Sequence, residues 1–537
     1  MNTIGFNIIQ LIFLVLSTAS FSISAAQIKH ISLDNENAPN EPAIVISNAQ
    51  KIYAAANVNR FYSIDLSSSE FQAVKKQTAT SRLGVYGDPV LHFLDTTLFY
   101  THLSKTPQKA YGDWFDRIVV QKISNPEKWE EKSYSVGYND GKMQDKPWVS
   151  SDTISDYKRS FYVTWTEFDK YDSDNPEDRS RIRFSKYTLQ SDSFTEAITI
   201  SDTTGDCLDG DNTLEGATTA IGANGEIHAV WAGYENIYWD CSKDGGITWQ
   251  KDRIIAKQPG GWDIAMPNIM RANGMPFIVS DTKRNRLYVC WSDQHEGQAD
   301  VWLKYSSNGG MTWSERIRIN QNKTDRHCYF PNISIDQNTG KVYIAYYDQQ
   351  HSSQKKFYDI YLSVLDPSVS ENPKITRVTK QSIPLPGPNV FYGDYLDLDL
   401  SNKKLAVVYT TYYNRTTAIE LAHASTDNFA LESSQIEPYS FTVDDYSTKD
   451  SMYAYLNVQQ LGKLKYKSKS GVKSEKSTTR IRRNIKANEL NTDILIDSLS
   501  NVYPLKYKLK IKEINGKRYI KSEKKIGRIR FPGTPVF

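Results

Sequence analysis

Cysteine is scarce in this sequence: four residues in 537, at Cys207, Cys241, Cys290 and Cys328. None of the four lies in a C-x-x-C pattern or beside a pair of histidines, so we predict no zinc site. An even number permits two disulfides in an exported chain, and four separate buried thiols fit the sequence equally well. A chain of this length buries a large core, so it does not need disulfides to fold.

Several catalytic motifs are also absent. The sequence contains no P-loop, no dinucleotide-binding glycine fingerprint, no H-E-x-x-H and no G-x-S-x-G. Nucleotide-dependent enzymes, zinc proteases and serine hydrolases are therefore without support. No segment has a sustained helical period. Beyond the N-terminal region, no stretch reaches the roughly 20 apolar residues of a membrane helix, so we predict no transmembrane segment in the mature chain.

The N-terminus resembles a secretion signal. Residues 4–16 are mostly apolar and residues 17–26 are small and polar, ending in Ser24-Ala25-Ala26. Small residues at the −3 and −1 positions predict cleavage after Ala26, with 1–26 as signal peptide and a secreted or periplasmic protein. Because no Lys or Arg precedes the apolar run, a buried first strand or helix is the alternative.

The net charge of +3 conceals two regions of opposite sign. Residues 451–537 carry 21 Lys and Arg against 6 Asp and Glu, a net charge of +15, so residues 1–450 carry −12. Residues 505–512 alternate apolar and cationic side chains, and Asn515-Gly516 predicts a hairpin turn. We predict a basic, β-rich C-terminal region at 436–537. It would contact an anionic surface, such as a charged glycan or lipid headgroups, or simply expose a solvated face. Nucleic acid is not an expected partner.

A short apolar pattern recurs along the acidic body. Its copies are spaced by 46 to 66 residues, and neighbouring runs of similar length, often opened by proline, accompany most of them. The runs are rich in β-branched and aromatic residues and are separated by Gly, Asn and Asp. Equivalent positions in the seven copies are Tyr53, Phe99, Tyr162, His228, Tyr288, Tyr343 and Ala406.

Four short strands in each repeat are typical of propeller blades. One blade alone exposes both faces of its sheet, and neighbouring blades around an axis bury them. The aromatic content of 12% suits the wide wedge between blades. We predict an all-β chain with a β-propeller at 27–435, of seven blades in preference to six, followed by the small basic C-terminal appendage.

Two segments share a turn pattern. Residues 242–249 match S-x-D-x-G-x-T-W throughout, and residues 306–313 match it with Asn308 replacing the aspartate. The pattern resembles the Asp box, or BNR repeat, of the sialidase-like β-propeller superfamily, which joins the third and fourth strands of a blade. We expect Asp244 to accept backbone N–H bonds, Gly246 and Gly310 to adopt positive φ, and the tryptophans that end both segments to pack under a neighbouring blade. These turns are predicted scaffold.

The resemblance implies a ligand site on the opposite face, where the first strand of each blade begins. Aromatic and carboxylate side chains cluster in the predicted loops there, which suits binding and hydrolysis of terminal sugars in glycans. The alternative is a propeller that binds glycan or protein without catalysis. The catalytic candidates are Asp88, Glu215, Asp263, Tyr392, Asp394 and Tyr395. The substrate-binding candidates are Trp262, Arg271, Asp293, Arg326, His327 and Asp348.

A sialidase would use three arginines for the sugar carboxylate, a Tyr nucleophile with a Glu base, and an Asp acid. The F/Y-R-I-P motif that usually carries the first arginine is absent here, so the sugar stays open. One loop, with Asp206, Asp209 and Asp211 among glycines, predicts either a structural calcium site or a solvated acidic loop. We expect no required cofactor.

Overall fold

The computed structural model describes residues 28–47, 51–66, 74–106, 115–126, 129–152, 159–321, 326–350 and 356–429, and strand backbone between 441 and 528. The predicted signal peptide at residues 1–26 lies outside the described residues. The described chain begins immediately before strand β1 (Lys29–Asp34), which precedes the first blade.

Seven antiparallel sheets follow one another along the chain, so the prediction of seven blades is confirmed. The strands of the first three blades are β2 (Ala43–Ile46), β3 (Lys51–Ala56), β4 (Arg60–Asp65), β5 (Val74–Thr78); β6 (Val90–Leu94), β7 (Thr97–Ser104), β8 (Arg117–Asn125), β9 (Glu130–Val136); β10 (Met143–Asp152), β11 (Ser160–Phe168), β12 (Ser180–Thr188), β13 (Ser193–Phe194) and β14 (Ile198–Thr199).

The next three blades repeat the same up-and-down order. Their strands are β15 (Glu215–Ile221), β16 (Ile227–Gly233), β17 (Asn236–Ser242), β18 (Arg253–Lys257); β19 (Phe277–Asp281), β20 (Arg286–Asp293), β21 (Asp300–Ser306), β22 (Ile317–Arg318); β23 (Cys328–Ile335), β24 (Val342–Asp348), β25 (Phe357–Leu365), β26 (Lys374–Arg377) and β27 (Ile383–Pro384).

The seventh blade is built from both ends of the propeller. Strands β28 (Asp397–Ser401), β29 (Lys404–Tyr413) and β30 (Thr416–Ser425) come from the end, and β1 pairs with β30 as the outer strand. A short helix, α1 (Thr426–Phe429), follows. The first described strand therefore closes the ring, because it joins the last blade by hydrogen bonds along its length.

The core lies in the wedges between blades. The second strands are buried at nearly every position, as in β16, because each sheet is covered by a neighbour on both faces. Trp231 packs in one cluster with Tyr162 and Phe184 of the preceding blade. Trp291 packs in another with Trp239. These large side chains explain why blades with short strands form an extensive core.

The first strand of each blade lines a central channel of 390 Å³. Side chains link neighbouring inner strands around it: Ser150 Oγ lies 2.7 Å from Thr219 Oγ1, and Asp397 accepts a hydrogen bond from the Ile44 amide at 2.9 Å. The four cysteines are buried free thiols, which decides between the two interpretations left open by the sequence.

The turns between third and fourth strands form one face of the propeller, here called the turn face. Asp244 accepts hydrogen bonds from the amides of Ile247 at 3.1 Å and Thr248 at 2.9 Å. Gly246 has φ +89°, and Trp249 packs on Phe184 of the preceding blade with ring centroids 5.1 Å apart. The predicted turn geometry is confirmed.

The second turn repeats this arrangement with an amide. Asn308 Oδ1 accepts from the Thr312 amide at 2.9 Å, and its Nδ2 donates to Thr312 Oγ1 at 2.8 Å. Gly310 has φ +83°, and the ring centroid of Trp313 lies 6.4 Å from that of Trp239 in the preceding blade. Asparagine therefore serves the same turn, because the acceptor oxygen is the part that the backbone needs.

The C-terminal strands are β31 (Phe441–Thr448), β32 (Ser451–Val458), β33 (Lys463–Leu464), β34 (Lys467–Ser468), β35 (Gly471–Val472), β36 (Ile496–Asp497), β37 (Leu505–Ile514) and β38 (Lys517–Arg528). They form a separate sheet of order β31-β32-β37-β38-β34-β35, and β33 pairs with β36. The predicted contact with an anionic surface depends on side chains outside the described residues.

Within the described residues, no helix is long and apolar enough to cross a membrane.

Candidate functional site

The opposite face, here called the strand-start face, is where the inner strands begin. In the first three blades an ionisable residue with positive φ precedes a proline: Glu41 (+49°), Asp88 (+48°) and Lys146 (+48°). Non-glycine residues seldom adopt this conformation. In β10 a register shift between Asp145 and Trp148 accompanies it. Bulges of this kind redirect side chains, and all three residues here contact others at the axis.

Asp394, before the seventh blade, is bound by cations from two other blades. Lys146 Nζ lies 2.6 Å from one carboxylate oxygen, and Arg271 Nε donates to the other at 2.8 Å. Arg271 Nη2 also donates to Asp394. Burial opposes ionisation of Asp394, but Arg271 and Lys146 outweigh it and hold its pKa below the usual range. Since these residues come from non-adjacent blades, the contacts cross the propeller axis.

Asp209 is the second carboxylate that Arg271 binds. Its oxygens accept from Arg271 Nη1 at 2.9 Å and Trp262 Nε1 at 3.0 Å, and also from the Tyr171 hydroxyl. Three side-chain donors thus surround one carboxyl group. The Asp209 side chain is 12% exposed and that of Arg271 28%, so this end of the network reaches the surface.

Glu215 lies beside Asp209 in a different environment. It is 1% exposed, its carboxyl group pairs with that of Asp209, and neither of its oxygens accepts from any other donor among the described residues. Burial, with the neighbouring charges of Asp209 and Asp145, raises the pKa of Glu215 well above its ordinary value. Burial also raises the pKa of Asp145, to about 7, with Asp88 and Asp209 adding to the effect. Two carboxyl groups with raised pKa values, Glu215 and Asp145, therefore lie near Asp209.

Glu41 and Asp88 form a further acidic pair. Asn57 joins them, since its Nδ2 donates to Glu41 and its Oδ1 accepts from the Asp88 amide at 2.8 Å. Burial and the charges of Asp88 and Asp394 raise the pKa of Glu41 well above its ordinary value. The buried Tyr395 hydroxyl lies near both, and burial with these charges raises its pKa.

These residues together form what we call the axial cluster. Its members are Glu41, Asp88, Asp145, Lys146, Asp209, Glu215, Arg271 and Asp394. Outside it lie the two rim carboxylates, Asp211 and Asp263, where Asp211 Oδ1 accepts from the Asp263 amide at 3.0 Å. Burial and the charges of Asp211 and Asp209 raise the pKa of Asp263.

Five sequence candidates lie apart from these contacts. Tyr392 packs in an aromatic group with Tyr329, Phe330, Tyr347 and Tyr358. His327 Nδ1 accepts from the Ala299 amide at 3.2 Å, and Asp348 accepts from the Gln350 amide at 2.6 Å. Asp293 accepts from Trp291 Nε1, the His295 amide and Arg316 Nη1. Arg326 is partly exposed before β23.

The predicted calcium loop has its carboxylates engaged elsewhere. Asp206 Oδ1 accepts from Thr213 Oγ1 at 3.0 Å, while Asp209 and Asp211 bind the partners given above. In the part of the chain that the structure describes, no three His, Cys, Asp or Glu side chains are grouped to hold a metal ion. Calcium stays a prediction, and no step below depends on it.

Sequence reasoning missed Glu41, Asp145, Lys146 and Tyr171 as site residues. The signal for Glu41 and Lys146 was present: each precedes the proline that opens an inner strand, the position that Asp88 holds in the second blade. Tyr171 lies in an acidic loop without a comparable repeat position, so the sequence offers no signal for it.

No protein-family model and no curated protein matches the chain. Trypanosoma rangeli sialidase in complex with sialic acid is similar at 9% identity and TM-score 0.38, covering 92% of this chain and 88% of that chain. Penicillium chrysogenum alpha-L-arabinanase complexed with arabinobiose is similar at 13% identity and TM-score 0.32, covering 53% of this chain and 94% of that chain.

A structure from a study of two prolyl endopeptidases is similar at 12% identity and TM-score 0.36, covering 80% of this chain and 56% of that chain. Similarities of this size do not choose among the activities of these proteins.

Proposed function

We propose that this protein is an exported glycoside hydrolase that removes terminal sugars from glycans, with its site at the exposed end of the axial cluster. The observation that carries the proposal is the Asp209–Glu215 pair. A carboxylate held by three donors contacts a carboxyl group whose pKa is raised by burial. Paired groups with opposite environments are the usual basis of acid and base roles.

Glycoside hydrolysis needs one group that donates a proton to the leaving oxygen. It also needs a second protein carboxylate, which either attacks the sugar or activates the water that does. We assign to Glu215, whose pKa is raised, the role of holding the proton, and to Asp209, the partly exposed member of the pair, the role of taking this proton and passing it to the leaving oxygen. Asp263 is the second carboxylate, because it is exposed beside Asp211 on the rim. Arg271 positions Asp209 through the hydrogen bond from Nη1.

A second candidate function is glycan binding without catalysis. It is favoured by the burial of Asp88 and Asp394, which are 6% and 1% exposed, and by the ion pairs that occupy the cluster. In that case the ion pairs of the axial cluster would have a structural role only, and they would hold a binding surface in place. The two functions differ in whether changing Asp209 abolishes a bond-breaking step.

The test is sugar release from a panel of sialylated and neutral glycosides. We expect release of one sugar class, and a loss of about 10² to 10⁴-fold in kcat for Asp209→Asn and Asp263→Asn. Asp240→Asn is the matched control, since burial raises the pKa of Asp240 to about 7 in β17, away from the cluster. No release from any glycoside would reject hydrolysis, and full activity in both variants would reject the assignment of Asp209 and Asp263 to the reaction.

Export is a separate part of the proposal. It is supported by residues 1–26, and it predicts a secreted or periplasmic product whose N-terminal residue is Gln27. N-terminal sequencing of the product from an expressing cell tests this directly. A product that retains Met1 would contradict it.

A further inference from the structure

Arg271 divides its donors between two carboxylates. Nε donates to one oxygen of Asp394 at 2.8 Å and Nη2 donates to the other, while Nη1 donates to Asp209 at 2.9 Å. Two parallel hydrogen bonds from one edge of a guanidinium to one carboxylate fix the plane and the direction of the guanidinium. The direction in which Nη1 points is therefore set by Asp394, although Nη1 itself contacts Asp209.

Asp394 is the most deeply buried of these three residues. Its side chain is 0% exposed, against 28% for Arg271 and 12% for Asp209. Asn273, two residues after Arg271, donates from Nδ2 to the Asp394 carbonyl oxygen at 3.0 Å. The segment that carries Arg271 is thus joined to Asp394 twice, through the guanidinium and through Asn273. Asp394 is the buried end of this chain of contacts, and Asp209 is the exposed end.

Lys146 supports the pair of hydrogen bonds from Arg271. Its Nζ lies 2.6 Å from the Asp394 carboxylate, and together with Arg271 it holds the pKa of Asp394 below the usual range. An ionised carboxylate offers two acceptor oxygens and no donor, as two N–H groups require. A neutral amide at this position would accept from only one of them, because its nitrogen is itself a donor.

We propose that Asp394 is a positioning residue, which holds Arg271 so that Nη1 keeps the Asp209 carboxyl group in place at the exposed end of the axial cluster. Asp394 is buried, so it acts through Arg271 and not on the substrate. The inference rests on the proposed function for the reaction in which Asp209 takes part. It adds the residue that holds Asp209 for that reaction, a role distinct from the catalytic role expected from the sequence.

Trp262 reports on Asp209 without any substrate. Its Nε1 donates to Asp209 at 3.0 Å, and the residue is 2% exposed, so water does not compete for the bond. The probe is its indole N–H resonance in the full chain with isotope-labelled tryptophan, assigned by its absence from Trp262→Phe. We expect Asp394→Asn to shift this resonance by more than its linewidth. Asp240→Asn, which also replaces a buried carboxyl group by an amide, should leave it in place.

Arg271→Lys distinguishes an action through Arg271 from a general effect on the fold. Lysine carries one point charge and cannot bridge two carboxylates as the planar guanidinium does. Asp394→Asn should therefore shift the Trp262 resonance in the wild-type background and have little further effect in the Arg271→Lys background. Where sugar is released, Asp394→Asn should lower kcat about 10- to 100-fold with KM within about threefold, but lower kcat by less than about threefold in Arg271→Lys.

Asp394→Glu provides a second variant if Asp394→Asn does not fold. Glutamate retains the negative charge beside Lys146 but is one methylene longer, so it displaces the guanidinium of Arg271. We expect it to shift the Trp262 resonance as well, although the charge at this position is unchanged. A residue that supplied only a buried charge would tolerate this substitution without moving the Trp262 resonance.

An unmoved Trp262 resonance in every folded Asp394 variant, or shifts of equal size in the two backgrounds, overturns the inference. Failure of both Asp394 variants to fold overturns it too, because the role of Asp394 would then be structural. A shift that depends on Arg271, with no sugar release from any glycoside, supports the inference and rejects hydrolysis alone. Sugar release with kcat unchanged in a folded Asp394 variant rejects the inference alone.

Discussion

The two faces of the propeller use the same side chains in opposite ways. On the turn face, the Asp244 carboxylate is partly exposed; burial opposes its ionisation, but donors from Thr248, Ser242 and Ile247 outweigh it and hold its pKa below the usual range. On the strand-start face, burial and neighbouring acids raise the pKa of Glu215 well above its usual range. Local backbone donors make the first carboxylate a structural part of its turn. Burial beside the Asp209 carboxyl group leaves the second with a raised pKa, as an acid catalyst requires.

This contrast predicts that charges on the two faces differ in their contribution to folding. The largest effect is expected for Lys146→Met, which removes a cation from a buried pair and leaves Asp394 poorly neutralised. We expect a loss of about 3 to 5 kcal/mol in the free energy of unfolding, measured by urea denaturation. Lys403→Met is the control, because Lys403 also has positive φ and pairs with Asp427 at 3.3 Å, with both side chains about two-thirds exposed. It should cost less than about 1 kcal/mol; equal losses would remove the contrast.

Asp397 separates the effect of burial from the effect of hydrogen-bond donors, because it is buried and also accepts hydrogen bonds. Asp397 accepts from the Ile44 and Leu398 amides and from Asn332 Nδ2, three donors against the four of Asp244, yet burial raises its pKa to about 8. A raised folded-state pKa gives stability that is complete below the unfolded value of about 4 and is lost as pH rises through about 8.

As pH rises, the free energy of unfolding of the wild type should fall because of Asp397. We therefore expect Asp397→Asn to reduce this fall by up to about 1.4 kcal/mol for each pH unit between about pH 4 and 8. Urea midpoints across this range measure it. Asp244→Asn should act in the acidic range only, because the lowered pKa of Asp244 gives stability that is lost as pH falls. An Asp397→Asn profile parallel to that of the wild type would show that donors, not burial, dominate.

The turn face depends on backbone space more than on charge. A Cβ on Gly310 would lie 2.2 Å from Trp239 Cζ2, and its φ is +83°. We expect Gly310→Ala to cost about 2 to 4 kcal/mol, from strain and overpacking together. Its neighbour Gly309 has φ +64° and open space around it, so Gly309→Ala should cost about 1 kcal/mol. Thermal unfolding of both variants compares them, and equal costs would reject the packing contribution.

The smallest effect concerns the side chain of the turn itself. Asp244→Ala removes an acceptor from the Ile247 and Thr248 amides and should cost about 1 kcal/mol. Asp244→Asn should be close to neutral, because Asn308 fills the equivalent position in the next blade. A cost for the asparagine variant as large as for the alanine variant would mean that the charge, not the acceptor, matters.

The sequence was sufficient for the architecture because the repeat is long and its second strands are nearly all buried. The seven equivalent positions from Tyr53 to Ala406 all fall in the second strands of blades. The closing strand β1 was harder to foresee. Its pairing with β30 joins residues almost 400 positions apart, and no local pattern specifies such a partner.

The candidate site was predictable only in part, because side-chain direction depends on backbone detail. Tyr392 and Tyr395 were equivalent from the sequence, but Gly393 between them has φ +104°, and only Tyr395 approaches the cluster while Tyr392 joins an aromatic wedge. Lys146 was missed because the expected site chemistry was carried by carboxylates and aromatic side chains, and a lysine at a blade entry did not stand out. The ion pairs across the axis also could not be foreseen, since they join blades that are not neighbours.

The central claim is that ligand chemistry belongs to the strand-start face and not to the turn face. A crystal structure of the protein soaked with the sugar that it releases from the glycoside panel tests it most directly. We predict sugar density against Asp209 and Asp263 on the strand-start face. Density beside Asp244 on the turn face, or inside the central channel against Asp397, would contradict the account.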